Sequence, residues 1–196
     1  MAKVYPKSPL FSPHYMTSRR ETFTVWMKSL VCHTNGCTVF DSNGEIVYRV
    51  ENYDKKCSNE VYLMDLHGQV LFTIRRKRSL VFGGWDVYGC SSSSSIKKEK
   101  PWFQVKRYCR LFRAVIACQI TVGQNKYWIE RSSARYKAAF RIVNIHGDII
   151  AEVNKKKSSS GILFGEDVLT LNVEPHIDHS FIVALVTVHG LINRKM

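Results

Sequence analysis

From Phe23 onward, aliphatic and aromatic residues alternate with polar ones in short runs separated by Gly, Asn, Asp and Ser, the period-two signature of half-buried β-strands. The runs predict twelve strands: Phe23–Val31, Thr38–Phe40, Ile46–Glu51, Glu60–Asp65, Val70–Arg75, Trp85–Tyr88, Trp102–Arg107, Ala117–Val122, Lys126–Arg131, Ala138–Val143, Ile149–Asn154 and Val168–Val173. One unit occurs three times, at Val39–Val47, Leu63–Leu71 and Ile142–Ile150. In each copy Asp or Asn (Asp41, Asp65, Asn144) follows two hydrophobic residues, Gly (Gly44, Gly68, Gly147) stands three positions later, and aliphatic residues then resume. Such a unit is a β-hairpin: the Asx side chain bonds backbone amides ahead of it, and glycine takes the positive-φ position. Near-regular strands joined this way predict a mainly β fold, an antiparallel meander closed as a barrel or packed as a sandwich.

The end of the chain breaks the pattern. Residues Phe181–Ile192 are apolar almost without interruption. As a helix such a stretch spans about 18 Å, short of the roughly 20 residues a bilayer requires, so burial inside the protein is expected. Its β-branched content also suits a buried strand. Pro175 and Asp178 form a helix-start signal and favour a central helix over 176–192. Residues 1–21, with Pro6, Pro9 and Pro13 among serines, read as an extended or mobile arm before a single domain over 22–196. The Ser8-Pro9 and Ser12-Pro13 pairs could be phosphorylated, although a plain extension explains them more simply. Five serines at 91–95 lead into a Lys-rich segment, an insertion loop over 91–101; neither half of the chain alone would cover its sheet edges.

Charge adds a class of partner. The 196 residues carry 29 Lys and Arg against 16 Asp and Glu, a net +13, beyond the roughly 2–8 typical of small soluble domains. Such an excess favours polyanions, either anionic phospholipid headgroups or nucleic acid. Six cysteines without a CxxC pair, and an N-terminus without an apolar leader, predict reduced thiols in the cytoplasm, with peripheral plasma-membrane or nuclear sites as further destinations. The chain is expected to act as a monomer.

Catalytic and cofactor motifs are missing. There is no nucleophile elbow, Walker loop, dinucleotide glycine fingerprint or His-Glu-x-x-His helix, so neither enzyme activity nor a cofactor is expected. His176 and His179 stand three apart with no third ligand, which argues against a metal site. His67 and His146 fall in matching turns, where local backbone chemistry explains them. Asp41, Asn43 and Glu45 alternate in one turn but lack the further carboxylates of a calcium loop.

The three hairpin units, Arg75-Arg76-Lys77 after the second of them, the Trp85-Asp86-Val87-Tyr88 strand and the terminal Asp178–Val188 segment together resemble the plant LURP-one-related proteins, within the tubby and phospholipid scramblase superfamily. That resemblance covers about Thr22 to Ile192. It implies a tubby-like barrel of about twelve antiparallel strands wrapped around the C-terminal helix. It further implies kinship with scramblases and with tubby-like membrane-tethered transcription factors, and a part in plant defence. Tubby domains bind phosphoinositides through a basic cluster, which directs attention to Arg75, Arg76, Lys77 and Arg78, and to Lys155, Lys156 and Lys157. Each run follows the strand after a Gly turn and could hold several phosphates; a solvated hairpin end that deters aggregation is the plainer alternative. Ser158-Ser159-Ser160 beside the second run suggests phosphorylation as a way to weaken it. A third region, Lys97, Lys98, Lys100, Lys106, Arg107, Arg110 and Arg113 with Trp102, Phe103 and Tyr108, superficially resembles a nucleic-acid stacking platform, but strand alternation accounts for its aromatics. The expected function is a non-enzymatic protein that touches anionic lipid peripherally. A nuclear DNA- or protein-binding regulator is the alternative, and calcium-driven lipid scrambling a third.

Overall fold

A computed structural model describes residues 13–29, 36–52, 59–77, 83–89, 100–107, 116–131, 140–158 and 160–193. Twelve antiparallel strands follow one another around a closed barrel: β1 (Glu21–Trp26), β2 (Cys37–Phe40), β3 (Ile46–Glu51), β4 (Glu60–Asp65), β5 (Val70–Lys77), β6 (Gly84–Gly89), β7 (Phe103–Arg107), β8 (Ile116–Val122), β9 (Asn125–Arg131), β10 (Phe140–Asn144), β11 (Ile149–Lys155) and β12 (Val168–Val173). β12 returns to pair with β1 from Glu21↔Val173 to Trp26↔Val168, which closes the sheet and leaves no edge. β1, expected to run to Val31, ends at Trp26, with the Met27 N–H bonding the Asp167 carbonyl at 2.8 Å one step beyond the Trp26↔Val168 pair; Val31 lies outside the described residues.

All three repeated units form the same hairpin. The Asx Oδ1 accepts two backbone N–H groups: Asp41 from Asn43 and Glu45, Asp65 from His67 and Gln69, Asn144 from His146 and Asp148, all at 2.8–2.9 Å. Gly44, Gly68 and Gly147 sit at φ 84, 79 and 79°. In each hairpin the register slips by one residue at the equivalent place, between Val39 and Phe40, Leu63 and Met64, and Ile142 and Val143. This slip is the bulge that a left-handed glycine introduces after a tight turn. Ser158–Ile162 repeats the geometry with serine in the Asx role: Ile162 N–H bonds Ser158 Oγ at 3.1 Å and Gly161 has φ 82°.

The C-terminal segment is a helix, α1 (His179–Ile192), and it lies within the barrel. Every residue from Ser180 to Gly190 is buried. Its neighbours come from all round the wall: Phe103 and Tyr127 contact Phe181, Phe23 and Tyr48 contact His179, and Phe140 contacts His189. A helix with no polar face has to be surrounded, and the closed sheet does this. Asp178 caps its N-terminus, Oδ1 accepting from Ser180 N at 2.8 Å and Phe181 N at 3.2 Å. The helix starts three residues after 176 because His176 adopts φ 62° and spends the preceding turn, its N–H bonded to the Thr17 carbonyl at 2.8 Å.

Each strand reverses the last, so connections alternate between two ends of the barrel. The three repeat turns and the start of α1 share one end. The exits of β5, β7, β9 and β11, the hairpin at 156–167 and the C-terminus of α1 share the other.

Two predictions test these constraints. Ideal Cβ atoms at Gly147 and Gly89 would meet nothing within 4 Å, yet only Gly147 has positive φ. Gly147→Ala is therefore expected to lower stability by about 1 kcal/mol in urea unfolding, while Gly89→Ala is neutral or slightly stabilising. Burial depresses the His179 imidazole from 6.5 to about 4, and Tyr48 Oη lies 2.6 Å from its Nδ1. Its stabilising effect is complete above pH 6.5 and is lost as pH falls towards 4, where the unfolded chain alone takes up the proton. Unfolding between those values should show a loss of at most about 3 kcal/mol from this group, and His179→Gln should flatten that slope.

Candidate anion-binding site

Period-two alternation divides the contiguous basic runs between the two faces of the wall. In β5, Phe72 and Ile74 face inward, so Arg76 continues the inward phase at the rim while Arg75 and Lys77 continue the outward one. Arg75 is committed to the wall: its Nε lies 2.6 Å from Glu60 Oε2 on β4, and its guanidinium stands 5.1 Å from the centre of the Tyr88 ring. The bond to Glu60 raises its pKa. Arg76 and Lys77 are exposed and form no ion pair among the described residues. Arg78 lies outside the described residues.

The second run is divided in the same way. Lys155 carries on the inward phase of Ala151 and Val153 and pairs with Glu166 at 2.8 Å. Lys156 points outward, its Nζ 2.6 Å from Thr24 Oγ1 on β1. Lys157 is exposed and bridges to Leu163 through the backbone. Of Lys155–Lys157, Lys155 alone has an acidic partner among the described residues, while Lys156 is held by a neutral hydroxyl and Lys157 is exposed.

The same phase rule adds Arg107, which the sequence placed in the third basic region, and Arg131, which lay outside every basic run. Arg107 extends Phe103 and Val105 of β7, and Arg131 extends Tyr127 and Ile129 of β9. Both guanidiniums act on the Cys118 thiol of β8, partly offsetting the burial that pushes it up to about 11. Arg76, Arg107, Arg131 and Lys155 thus occupy the last inward positions of β5, β7, β9 and β11, a half-ring at the end where α1 terminates. The negative end of the helix dipole favours cations there. Some outward cations have acidic partners, Arg141 with Glu130 at 2.9 Å and Arg20 with Glu152 at 3.2 Å. On the opposite arc of this rim, Glu51 is turned to Ser29 Oγ at 2.5 Å.

The other candidates resolve into structure. Trp102 stacks on Phe72 at 4.9 Å, and Phe103 is buried against Phe181, so neither offers a face to a nucleobase. Lys106 is exposed beside them, while Lys97, Lys98, Tyr108, Arg110 and Arg113 lie outside the described residues. His179 is engaged by Tyr48, and His176 is exposed on its turn. Among the described residues no three His, Cys, Asp or Glu side chains are grouped to hold a metal. Asp41, in the turn whose Asp41, Asn43 and Glu45 lack the further carboxylates of a calcium loop, spends its carboxylate on backbone amides of that turn. Cys37 and Cys118 are free and buried, the former pushed up to about 12.

Comparison with known proteins agrees with this architecture. The family model described as LURP-one-related matches residues 21–190. The chain belongs to the LURP-one-related family. Arabidopsis thaliana LURP-one-related 4 is 53% identical, covering 98% of this chain and 87% of its own length. LURP-one-related 11 of the same plant is 44% identical, over 93% of this chain and 82% of its own. Another Arabidopsis protein, solved by X-ray diffraction, superimposes with a TM-score of 0.67 at 18% identity, over 94% of this chain and 98% of its own; that likeness concerns the fold. The names of these relatives specify no reaction.

The 156–167 hairpin beside the half-ring is pinned by Asp167, whose carboxylate accepts from Trp26 Nε1 at 3.1 Å and pairs with Lys28 at 3.0 Å, holding its pKa below the usual range. Asp167→Ala is expected to cost about 1 kcal/mol. Hydrogen exchange should show protection lost at the Met27 and Lys156 amides while α1 stays protected; unchanged exchange at those amides would contradict the pinning.

Proposed function

We propose that this LURP-one-related protein is a non-enzymatic, tubby-like lipid-binding protein that docks peripherally on anionic membranes through the cationic rim at the C-terminal end of α1. The observation that carries the reading is a cluster of unneutralised cations at one end of the barrel: Arg76, Lys77, Lys106, Arg107, Arg131, Lys156 and Lys157 have no acidic partner among the described residues. Arginines converging from neighbouring strands suit phosphate oxygens, which they can hold bidentately, so a phosphoinositide headgroup is the preferred ligand. No helix among the described residues is long and apolar enough to cross a membrane, and α1 is engaged on every side, which favours electrostatic contact over helix insertion. Kinship with tubby-like transcription factors and scramblases, a part in plant defence, and a cytoplasmic, membrane-peripheral or nuclear location belong to the same proposal.

Vesicle co-sedimentation tests it. Wild type should bind phosphoinositide vesicles more tightly than phosphatidylserine vesicles and leave phosphatidylcholine vesicles in solution, with affinity falling steeply as salt rises. Arg76→Glu with Arg107→Glu should weaken binding at least tenfold without lowering the thermal midpoint appreciably. An absence of binding by the folded wild type would end the lipid reading. Preferential retention of duplex DNA in direct competition would transfer the rim to nucleic acid.

A further inference from the structure

The hairpin that leaves β11 projects an apolar tip from the cationic end. Ile162, Leu163 and Phe164 are 69, 53 and 48% exposed, three consecutive members of the six large hydrophobic side chains exposed among the described residues. Successive residues of a β-ribbon point to opposite faces. Exposure of all three therefore means that both faces of the ribbon stand in solvent, away from the barrel wall. Isolated exposed hydrophobics are ordinary on a protein surface, but a contiguous apolar tip is not.

The tip is also built to hold its shape. Ser158 N–H bonds the Ile162 carbonyl at 2.8 Å, Gly161 N–H the Ser158 carbonyl at 2.9 Å, and Lys157 bridges to Leu163. Its base is tied down by Phe164 N–H to the Lys156 carbonyl at 2.9 Å, Lys156 N–H to the Val168 carbonyl at 3.1 Å, and the Asp167 contacts to β1. Preorganisation of this kind removes the ordering cost that a loose loop would meet on binding.

We infer that Ile162, Leu163 and Phe164 form a wedge that enters the interfacial layer of an anionic bilayer while Lys157 and the rim cations meet the headgroup phosphates. The inference rests on the proposed lipid reading and deepens it by naming the group that penetrates. Charge complementarity selects the occupant: the tip is backed by Lys156 and Lys157, neither with an acidic partner among the described residues, while Lys155 is balanced by Glu166, and Lys156 Nζ stands 5.9 Å from the centre of the Phe164 ring. Apolar side chains ahead of a row of lysines match the boundary between acyl chains and phosphates, where long lysine stems extend along apolar surface with their charges in water.

Two measurements on the full chain test the wedge. In co-sedimentation with phosphatidylserine vesicles at physiological salt, Ile162→Ser, Leu163→Ser and Phe164→Ser combined should weaken binding at least tenfold, leaving residual binding that returns at low salt through the cations. In parallel, Phe164→Trp should gain blue-shifted emission over wild type that is quenched by lipids brominated in their acyl chains. Wild-type affinity in the serine variant, with the Phe164→Trp emission unshifted, would overturn the wedge and leave the cationic-rim reading standing. Failure of wild type to bind any vesicle would overturn both and mark the tip as a protein-contact surface.

Discussion

Everything in this structure follows from a C-terminal helix that has no polar face. Eleven consecutive residues of α1, from Ser180 to Gly190, are buried, and apolar surface on every side of a helix can be removed from water only by a wall that surrounds it. The closed sheet is that wall. Its inward positions, among them Val25, Val50, Ile74, Val105, Ile129, Ile142, Val153 and Leu171, are nearly inaccessible and form one core with the helix. Barrel and helix are thus mutually dependent: an empty twelve-stranded barrel would enclose a void, and the bare helix would aggregate.

This enclosure also shapes the electrostatics. The helix enters at the end of the barrel carrying the Asx turns and is capped there by a buried carboxylate, Asp178. Its C-terminus, the negative end of its dipole, reaches the end where β5, β7, β9 and β11 finish on inward-phase cations. A stabilising interaction within the fold thereby concentrates positive charge at one mouth. On the outer wall some opposite charges face one another in register, as Glu60 and Arg75 do, and such exposed pairs add little stability while cancelling the local field.

Much of this was legible in the chain, and the reasons are local. Period-two alternation and the Asx-x-x-Gly spacing reveal strands and hairpins because turn chemistry acts within five residues, and Asp178 marks the helix start for the same reason. The Ser158–Gly161 turn escaped notice because serine took the Asx role inside a run that reads as low complexity. The rim was half legible. A basic run such as Arg75–Arg78 looks like one site, yet β geometry sends alternate residues to opposite faces, so Arg75 becomes a wall contact and Arg76 a rim cation. Arg131 stood outside any run, and only the closure of the barrel sets it beside Arg107 near Cys118. The exposed tip at Ile162–Phe164 depends on the ribbon leaving the wall, a tertiary property that hydrophobicity along the chain does not encode.

The central claim is that the helix remains inside the barrel and that membrane contact is made by the rim. Hydrogen exchange of the α1 amides, followed with and without phosphoinositide vesicles, tests it most directly. The account predicts that amides from Ile182 to Val188 exchange only through global unfolding and keep that protection when the protein is vesicle-bound. Loss of their protection on binding, with the strands still protected, would show the helix leaving the barrel for the lipid and would contradict it.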